Sequence, residues 1–334
     1  MKLKKEFENF HTSIKIDNEA NTLREKREIL QKDFEKNFPD LCANKDITSN
    51  EIDLQFIYQG SYILKTAIKS TTLDSDIAVI FSLDINAHPD PRVLKVLAKE
   101  ALSIPSRTIR IKEPCVTVSY IEKGEEWLHI DFPMYAEHNG TLYLARGKEH
   151  GTYSWQKSDP KGLNEFLLNK LKGGDQLRRI IRYVKKWKQD KYSEATSQNE
   201  IPPSVALTLL ACKHFVECKG DDLTSLYKTM KGILDTFVVS SLNGEIVSAS
   251  IECRRPVTPR DDMFYKLKRS DEYGIKFYKR LKTAVERLQN ACNTDSAHEA
   301  AKYVQKVLRS SFVVPAKNAV TSTNVLGKRE NSFG

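Results

Sequence analysis

Apolar positions recur along the chain with two different periods, and the change from one to the other divides it. At the start, Phe7, Phe10 and Ile14, then Leu23, Ile29, Leu30 and Phe34, repeat at helical spacing. A break near Asp17-Asn18 makes this one or two helices, and Pro39 is expected to end the pattern. Strand signals follow: 52–58, the run Ile77 to Phe81, alternating stretches over 107–112 and 115–121, then 127–135 and 141–145. One amphipathic helix, from about Pro91 to Leu102, interrupts them after the turn His88-Pro89-Asp90-Pro91.

Past Asp159-Pro160 the period becomes helical throughout, over 163–171, 175–189, 203–217, 223–234, 275–291 and 297–308. The expected fold class is therefore α+β. A mixed sheet with helices occupies residues 1–160, including the N-terminal helix, and a helical domain occupies 161–316. Residues 317–334 are polar, with too little apolar surface to pack, and are expected to form a disordered tail.

Charge narrows the choice of partners. Lys and Arg number 53 against 44 Asp and Glu, a formal net charge of +9, which suits polyanions such as nucleoside triphosphates or nucleic acid. The six cysteines form no Cys-x-x-Cys pair, and no histidine is placed to complete a zinc site. They are expected to be reduced thiols of a cytoplasmic protein. No signal peptide or long apolar run appears, so no membrane partner is expected.

The chemistry concentrates in Gln59 to Phe81. Gly60-Ser61 opens a helix, Lys69 to Thr72 turns the chain, and a strand begins with Asp74 and Asp76. Side chains on a strand alternate with period 2, so these two carboxylates point the same way. They repel unless they are solvated, unless one is protonated, or unless they share a cation. Oxygen ligands favour Mg²⁺ or Mn²⁺. Gly60 lets a ligand approach the backbone, and Ser61 with the N–H groups of the following helix can hold phosphate. An EF-hand is excluded, because Ala78 and Val79 fall where a ligand and the turn glycine are needed.

Gly60-Ser61, twelve residues, then Asp74-x-Asp76 and an apolar strand resembles the nucleotidyltransferase core of the DNA polymerase β superfamily. Ser75 departs from it, standing where the family has an apolar residue. The resemblance implies a third metal-binding carboxylate on a later strand, which Trp127-Leu-His-Ile-Asp131-Phe-Pro-Met-Tyr135 supplies as Asp131. His129, Asp131 and Pro133 share one face of that strand.

Two stretches in the second half extend the resemblance. Gln176 to Lys188 is a basic helix with Arg178, Arg182 and Lys185 in a row, and in Ile201-Pro202-Pro203-Ser204 either Ser204 caps another helix or Pro203-Ser204 begins it. Val184-Lys185-Lys186-Trp187 followed by Pro202-Pro203-Ser204-x-Ala206-Leu207 is similar to oligoadenylate synthases, cyclic GMP-AMP synthase and bacterial CD-NTases. That branch implies a bilobal architecture, with Lys185 and Ser204 reaching the triphosphate of the donor nucleotide. Val205 falls where the branch often has a base-stacking Tyr, and the zinc-binding insertion of the vertebrate enzyme is absent. Arg255-Pro256 to Asp262 resembles a loop of the bacterial branch without its Asp-Pro.

The resemblance implies a CD-NTase of an antiphage (CBASS) system. It would join ATP, alone or with GTP, UTP or CTP, into a cyclic di- or trinucleotide read by a downstream effector. Asp74, Asp76 and Asp131 are the expected holders of two Mg²⁺ ions, with Mn²⁺ as a substitute. Gly334 resembles the small terminal residue that a ubiquitin-type E1–E2 enzyme conjugates to targets. The rival readings are a linear nucleotidyltransferase acting on RNA, protein or a small molecule, and a catalytically inactive nucleotide- or RNA-binding module.

Overall fold

The computed structural model describes residues 2–17, 19–45, 47 and 53–317. The conjugation expected at Gly334 and the tail from residue 318 on lie outside them. Two helices come first, α1 (Lys4–Ile14) and α2 (Glu19–Ala43). Then follow β1 (Gln55–Gln59), the single turn α3 (Gly60–Ile63), β2 (Leu73–Ser82) and α4 (Arg92–Leu102). Six more strands complete the first half: β3 (Thr108–Ile111), β4 (Val116–Glu122), β5 (Glu125–Phe132), β6 (Met134–His138), β7 (Thr141–Gly147) and β8 (Tyr153–Lys157).

The second half holds α5 (Pro160–Lys170), α6 (Asp175–Lys191), α7 (Ser204–His214) and α8 (Asp222–Leu234). A hairpin of β9 (Val238–Leu242) and β10 (Glu245–Ser250) precedes α9 (Asp271–Asn293) and α10 (Ala297–Leu308). The class is α+β, as expected.

The first eight strands form one mixed sheet around β2. β2 pairs in parallel with β5 through Leu73–Asp76 and with β6 through Val79–Ser82, and antiparallel with β1. Its alternation separates two faces. Ile77, Val79 and Phe81 pack into a core that α2 and α4 cover, with Leu30, Phe34 and Leu97 buried there. Ala78 and Ile80 face the other way, towards Tyr135. Asp74 and Asp76 share that second face by parity, so the main core never has to accommodate them.

A second core joins the helices of the C-terminal half around Tyr183, Trp187, Leu226 and Phe277. Here the structure departs from the expected grouping of the N-terminal helix with the sheet. Phe7 and Phe10 of α1 insert against Tyr183 and Phe312, with ring centroids 5.0–5.6 Å apart. The apolar stripe of α1 was legible, but the partner of a stripe is a long-range choice.

Three local features also differ from expectation. Pro39 lies inside α2 rather than ending it, one turn from the helix end. The helix after Gly60 is a single turn. The β9–β10 hairpin escaped a reading based on burial because most of its side chains are exposed, although Asn243-Gly244 at its turn, both with positive φ, is a strong hairpin signal.

Candidate active site

The parallel pairing of β2 with β5 sets Asp74 beside His129 and Asp76 beside Asp131. Two residues 55 apart in sequence thus become lateral neighbours, and the three expected carboxylates come to one end of the sheet. Asp76 points into a cleft of about 570 Å³ between the sheet and the helical half, with Asp74, Gly60 and Ser61 on the same wall. Asp131 does not line that cavity. Its carboxylate accepts a hydrogen bond from the Thr117 hydroxyl and stands 3.6 Å from Lys112 Nζ.

The Asp76 carboxyl is pushed up to about 7, by burial first and then by the charges of Asp131 and Asp74. Lys185 and Lys112 oppose the shift without cancelling it. Gly60 explains how so crowded a carboxylate is accommodated. Its φ is +71°, and a Cβ there would sit 2.5 Å from Asp76 Oδ2. Only glycine supplies both the backbone conformation and the space. Ser75, the departure from the family pattern, is 4% exposed and its hydroxyl has no hydrogen-bond partner, so it occupies an apolar site as a small side chain.

The opposite wall is cationic. Lys185 is buried on α6, its Nζ donating to Thr66 O at 3.1 Å, and burial lowers its pKa to about 8 against the pull of Asp74. Lys188, three residues on, donates to Ser204 Oγ at 2.9 Å, and its pKa is also lowered by burial. Ser204 is the first residue of α7, so its hydroxyl and the free N–H groups of that helix end both face the cleft. Lys188 was not singled out from the sequence, although its spacing of three from Lys185 was the available signal. Arg255 and Tyr135 also line the cleft, and Val205 stands where the resemblance suggested a base-stacking position.

The expected basic row of Arg178, Arg182 and Lys185 turns to one loop, but only Lys185 lines the cleft. Arg178 and Arg182 line a different cavity, against α1, and their guanidiniums are occupied by protein. Arg178 donates to Leu64 O, and Arg182 donates to Lys65 O, Ala67 O and His11. Together with Lys185 they hold successive carbonyls of the loop that follows α3.

Among the described residues no three His, Cys, Asp or Glu side chains are arranged to hold a metal ion as they stand. The Asp131 carboxylate is turned to Thr117 and Lys112. The pair Asp74 and Asp76 does fit a divalent cation. A carboxylate whose ionisation is opposed by burial and by two like charges is relieved by a bound cation. The donor set is all oxygen, which suits Mg²⁺ or Mn²⁺.

Comparison with known proteins gives a consistent result. Residues 54–135, which contain Gly60, Asp74, Asp76 and Asp131, match the family model for the nucleotidyltransferase domain of "Cyclic GMP-AMP synthase DncV-like" proteins. A cyclic GMP-AMP synthase of Escherichia albertii is 25% identical over 194 residues, 54% of this chain; the match spans 41% of that relative's length. In fold, the chain is similar to the apo form of Vibrio cholerae DncV, with a TM-score of 0.71 and 17% identity, covering 93% of this chain and 96% of that one. It is also similar to DncV in complex with the linear intermediate pppA(3′,5′)pG, with a TM-score of 0.67 and 18% identity over 90% of this chain and 93% of that one. The stretch that matches the DncV-like nucleotidyltransferase domain is thus the one that holds the paired carboxylates of β2 and the Gly60-Ser61 turn, and the chain as a whole shares the fold of DncV.

Proposed function

We propose that this protein is a cyclic oligonucleotide synthase that joins nucleoside triphosphates, ATP among them, into a cyclic di- or trinucleotide signal. One observation carries the reading: in a single cleft, Asp74 and Asp76 face Lys185, Lys188 and Ser204. Phosphate held by the cations would lie next to metal-binding carboxylates, which is the layout nucleotidyl transfer requires. In this reading the carboxylates belong to a catalytic half ending near residue 160, and the cations to a helical half spanning 161–316.

The reaction forms a bond between a ribose hydroxyl oxygen and the α-phosphorus and breaks the bond from that phosphorus to the β-phosphate, so that pyrophosphate leaves. Lys185 and the Lys188–Ser204 pair hold the triphosphate and offset its charge. Ser61 and the N–H groups after Gly60 orient it from the other wall. Asp74 and Asp76, with Asp131, would hold Mg²⁺ or Mn²⁺. Such ions, when bound, supply positive charge to the attacking and leaving oxygens. Asp131, freed from Thr117, accepts the proton that the attacking hydroxyl loses. Burial of the cleft strengthens each of these charge contacts.

The signal would serve antiphage defence through an effector that reads the cyclic product. The test is mass spectrometry of products from a mixture of the four ribonucleoside triphosphates with Mg²⁺ or Mn²⁺. A cyclic product supports the reading. Linear products alone would assign the chain to RNA, protein or small-molecule nucleotidylation, and absence of turnover with every mixture would make it a binding module.

A further inference from the structure

Beyond the cleft, past the end of α6, another cavity of about 400 Å³ lies between α6, α9 and α10. Six cations converge on it: Lys191 from α6, Lys279, Arg280 and Arg287 from α9, Lys306 from α10, and Arg309 just after it. Two carboxylates, Asp190 and Glu194, are present. Asp190 is engaged through Oδ1 by Lys186 at 2.8 Å, a residue outside the cavity, while its Oδ2 is buried without a partner and Glu194 is exposed, so two negative charges stand against the six cations.

Cations are favoured at helix C-termini, and that accounts for Lys191, Lys306 and Arg309. It does not account for Lys279, Arg280 and Arg287, which sit in the middle of a 23-residue helix. Two of the guanidiniums are held in place. Arg280 lies over the Tyr192 ring, 4.2 Å from its centre, and Arg287 donates to Lys306 O at 2.9 Å. Arg280 Nη1 is nevertheless buried without a hydrogen-bond acceptor. The cations also act on one another. The Lys191 ammonium is destabilised by burial first and then by Arg309, Arg287 and Arg280, with Asp190 opposing them in part. A fold that gathers like charges and leaves a buried donor unmet has a place for an anion.

We propose that this cavity binds the phosphate groups of a small, multiply charged phosphate ligand, either an inorganic polyphosphate or a nucleoside polyphosphate. Three arginines match phosphate oxygens in forked geometry, and the excess of positive charge calls for more than one phosphate. The concave shape and size suit a small ligand rather than a duplex surface. Among the described residues no aromatic side chain lines the cavity, and Arg280 covers the Tyr192 face, so the site reads phosphate and not the base.

The test is hydrogen exchange and calorimetry on the full chain with inorganic tripolyphosphate, ATP and GTP. Tripolyphosphate should protect segments 279–287 and 304–309, separately from any protection in the cleft at 60–66 and 185–189. Loss of two charge-assisted contacts in an Arg280→Gln, Arg287→Gln variant should weaken that binding by roughly tenfold or more per contact. Where that variant unfolds, Lys191→Gln with Lys306→Gln serves the same purpose without touching the Tyr192 stack. Equal protection by ATP and GTP assigns the source to nucleotides as well. Protection by tripolyphosphate alone restricts it to inorganic polyphosphate. Protection confined to the cleft, or unchanged affinity in the folded variants, overturns the proposal.

Discussion

The two faces of α6 carry the same kind of charge to opposite ends. On the back, towards α1 and α8, every arginine meets a complement. Arg179 makes a two-pronged pair with Asp222 at 2.7 and 2.9 Å, and Asp222 also accepts from Tyr183 at 2.9 Å and Gln176 at 2.9 Å. Arg182 serves two carbonyls and His11. On the front, Lys185 has a carbonyl and Lys188 a hydroxyl, while the carboxylates across the cleft repel one another. A buried charge that finds its complement inside the protein holds helices together. A buried charge left opposed to its own kind costs stability, and is retained where a ligand completes it.

The largest effect should come from breaking the front face. Replacing Asp76→Asn keeps the shape and removes the charge that would bind metal, and turnover should fall by about three orders of magnitude or more. Circular dichroism and a thermal melt should show the fold retained. Near wild-type turnover would mean that the paired carboxylates are not the reaction centre. Next comes Gly60→Ala, which places a methyl group against Asp76 Oδ2 in a left-handed backbone. A displacement of about 1 Å can cost roughly a hundredfold in rate, so initial rates should drop by that order. Unchanged rates would show that Asp76 need not hold its position.

Lys185→Ala should raise the KM for ATP by roughly tenfold or more, a charge-assisted phosphate contact being worth about 1.5–3 kcal/mol. Ser204→Ala should raise it by a few-fold, as a neutral contact is worth about 0.5–1.5 kcal/mol. Steady-state kinetics that leave Lys185→Ala unchanged would return α6 to a purely structural role. On the back face, Arg182→Gln strands buried carbonyls and should lower unfolding free energy by about 1–3 kcal/mol in urea titrations. A rise in KM at unchanged stability would show instead that the back face serves the cleft through the loop after α3.

The smallest effect concerns pH. His11 is held to about 4, by burial first and then by Arg182, so it stays neutral in the folded protein well below the range where an unfolded histidine takes up a proton. Its contribution to stability is complete above about pH 6.5 and declines as pH falls towards 4, because the unfolded chain binds the proton first. Urea midpoints of the wild type and a His11→Gln variant should therefore converge as pH falls through that window. A constant gap across it would refute the linkage.

Much of the site could be read locally. Asp74 and Asp76 share a face because period 2 is a property of any strand, and Gly60 stands where the backbone turns through positive φ. Other features could not be read locally. The hairpin of β9 and β10 buries little, so apolar alternation is weak there. Lys188 and Arg182 are six residues apart, which is about 120° around a helix, so the two point to different sides of α6. Which part of the row meets the cleft depends on how α6 is rotated against the sheet.

The sequence by itself determined the periods, the α+β class, the parity of the carboxylates and the placing of Ser204 at a helix N-terminal end, because each depends on a few residues and on backbone geometry. The tertiary structure alone decided three things: that Asp131 lies beside Asp76 yet turns to Thr117, that α1 packs with the helices that follow the sheet, and that Lys188 rather than Arg182 faces the carboxylates. The reason is the same in each case. Strand register and helix rotation are set by the burial of apolar side chains distant in sequence, and polar groups are carried to wherever that packing leaves them.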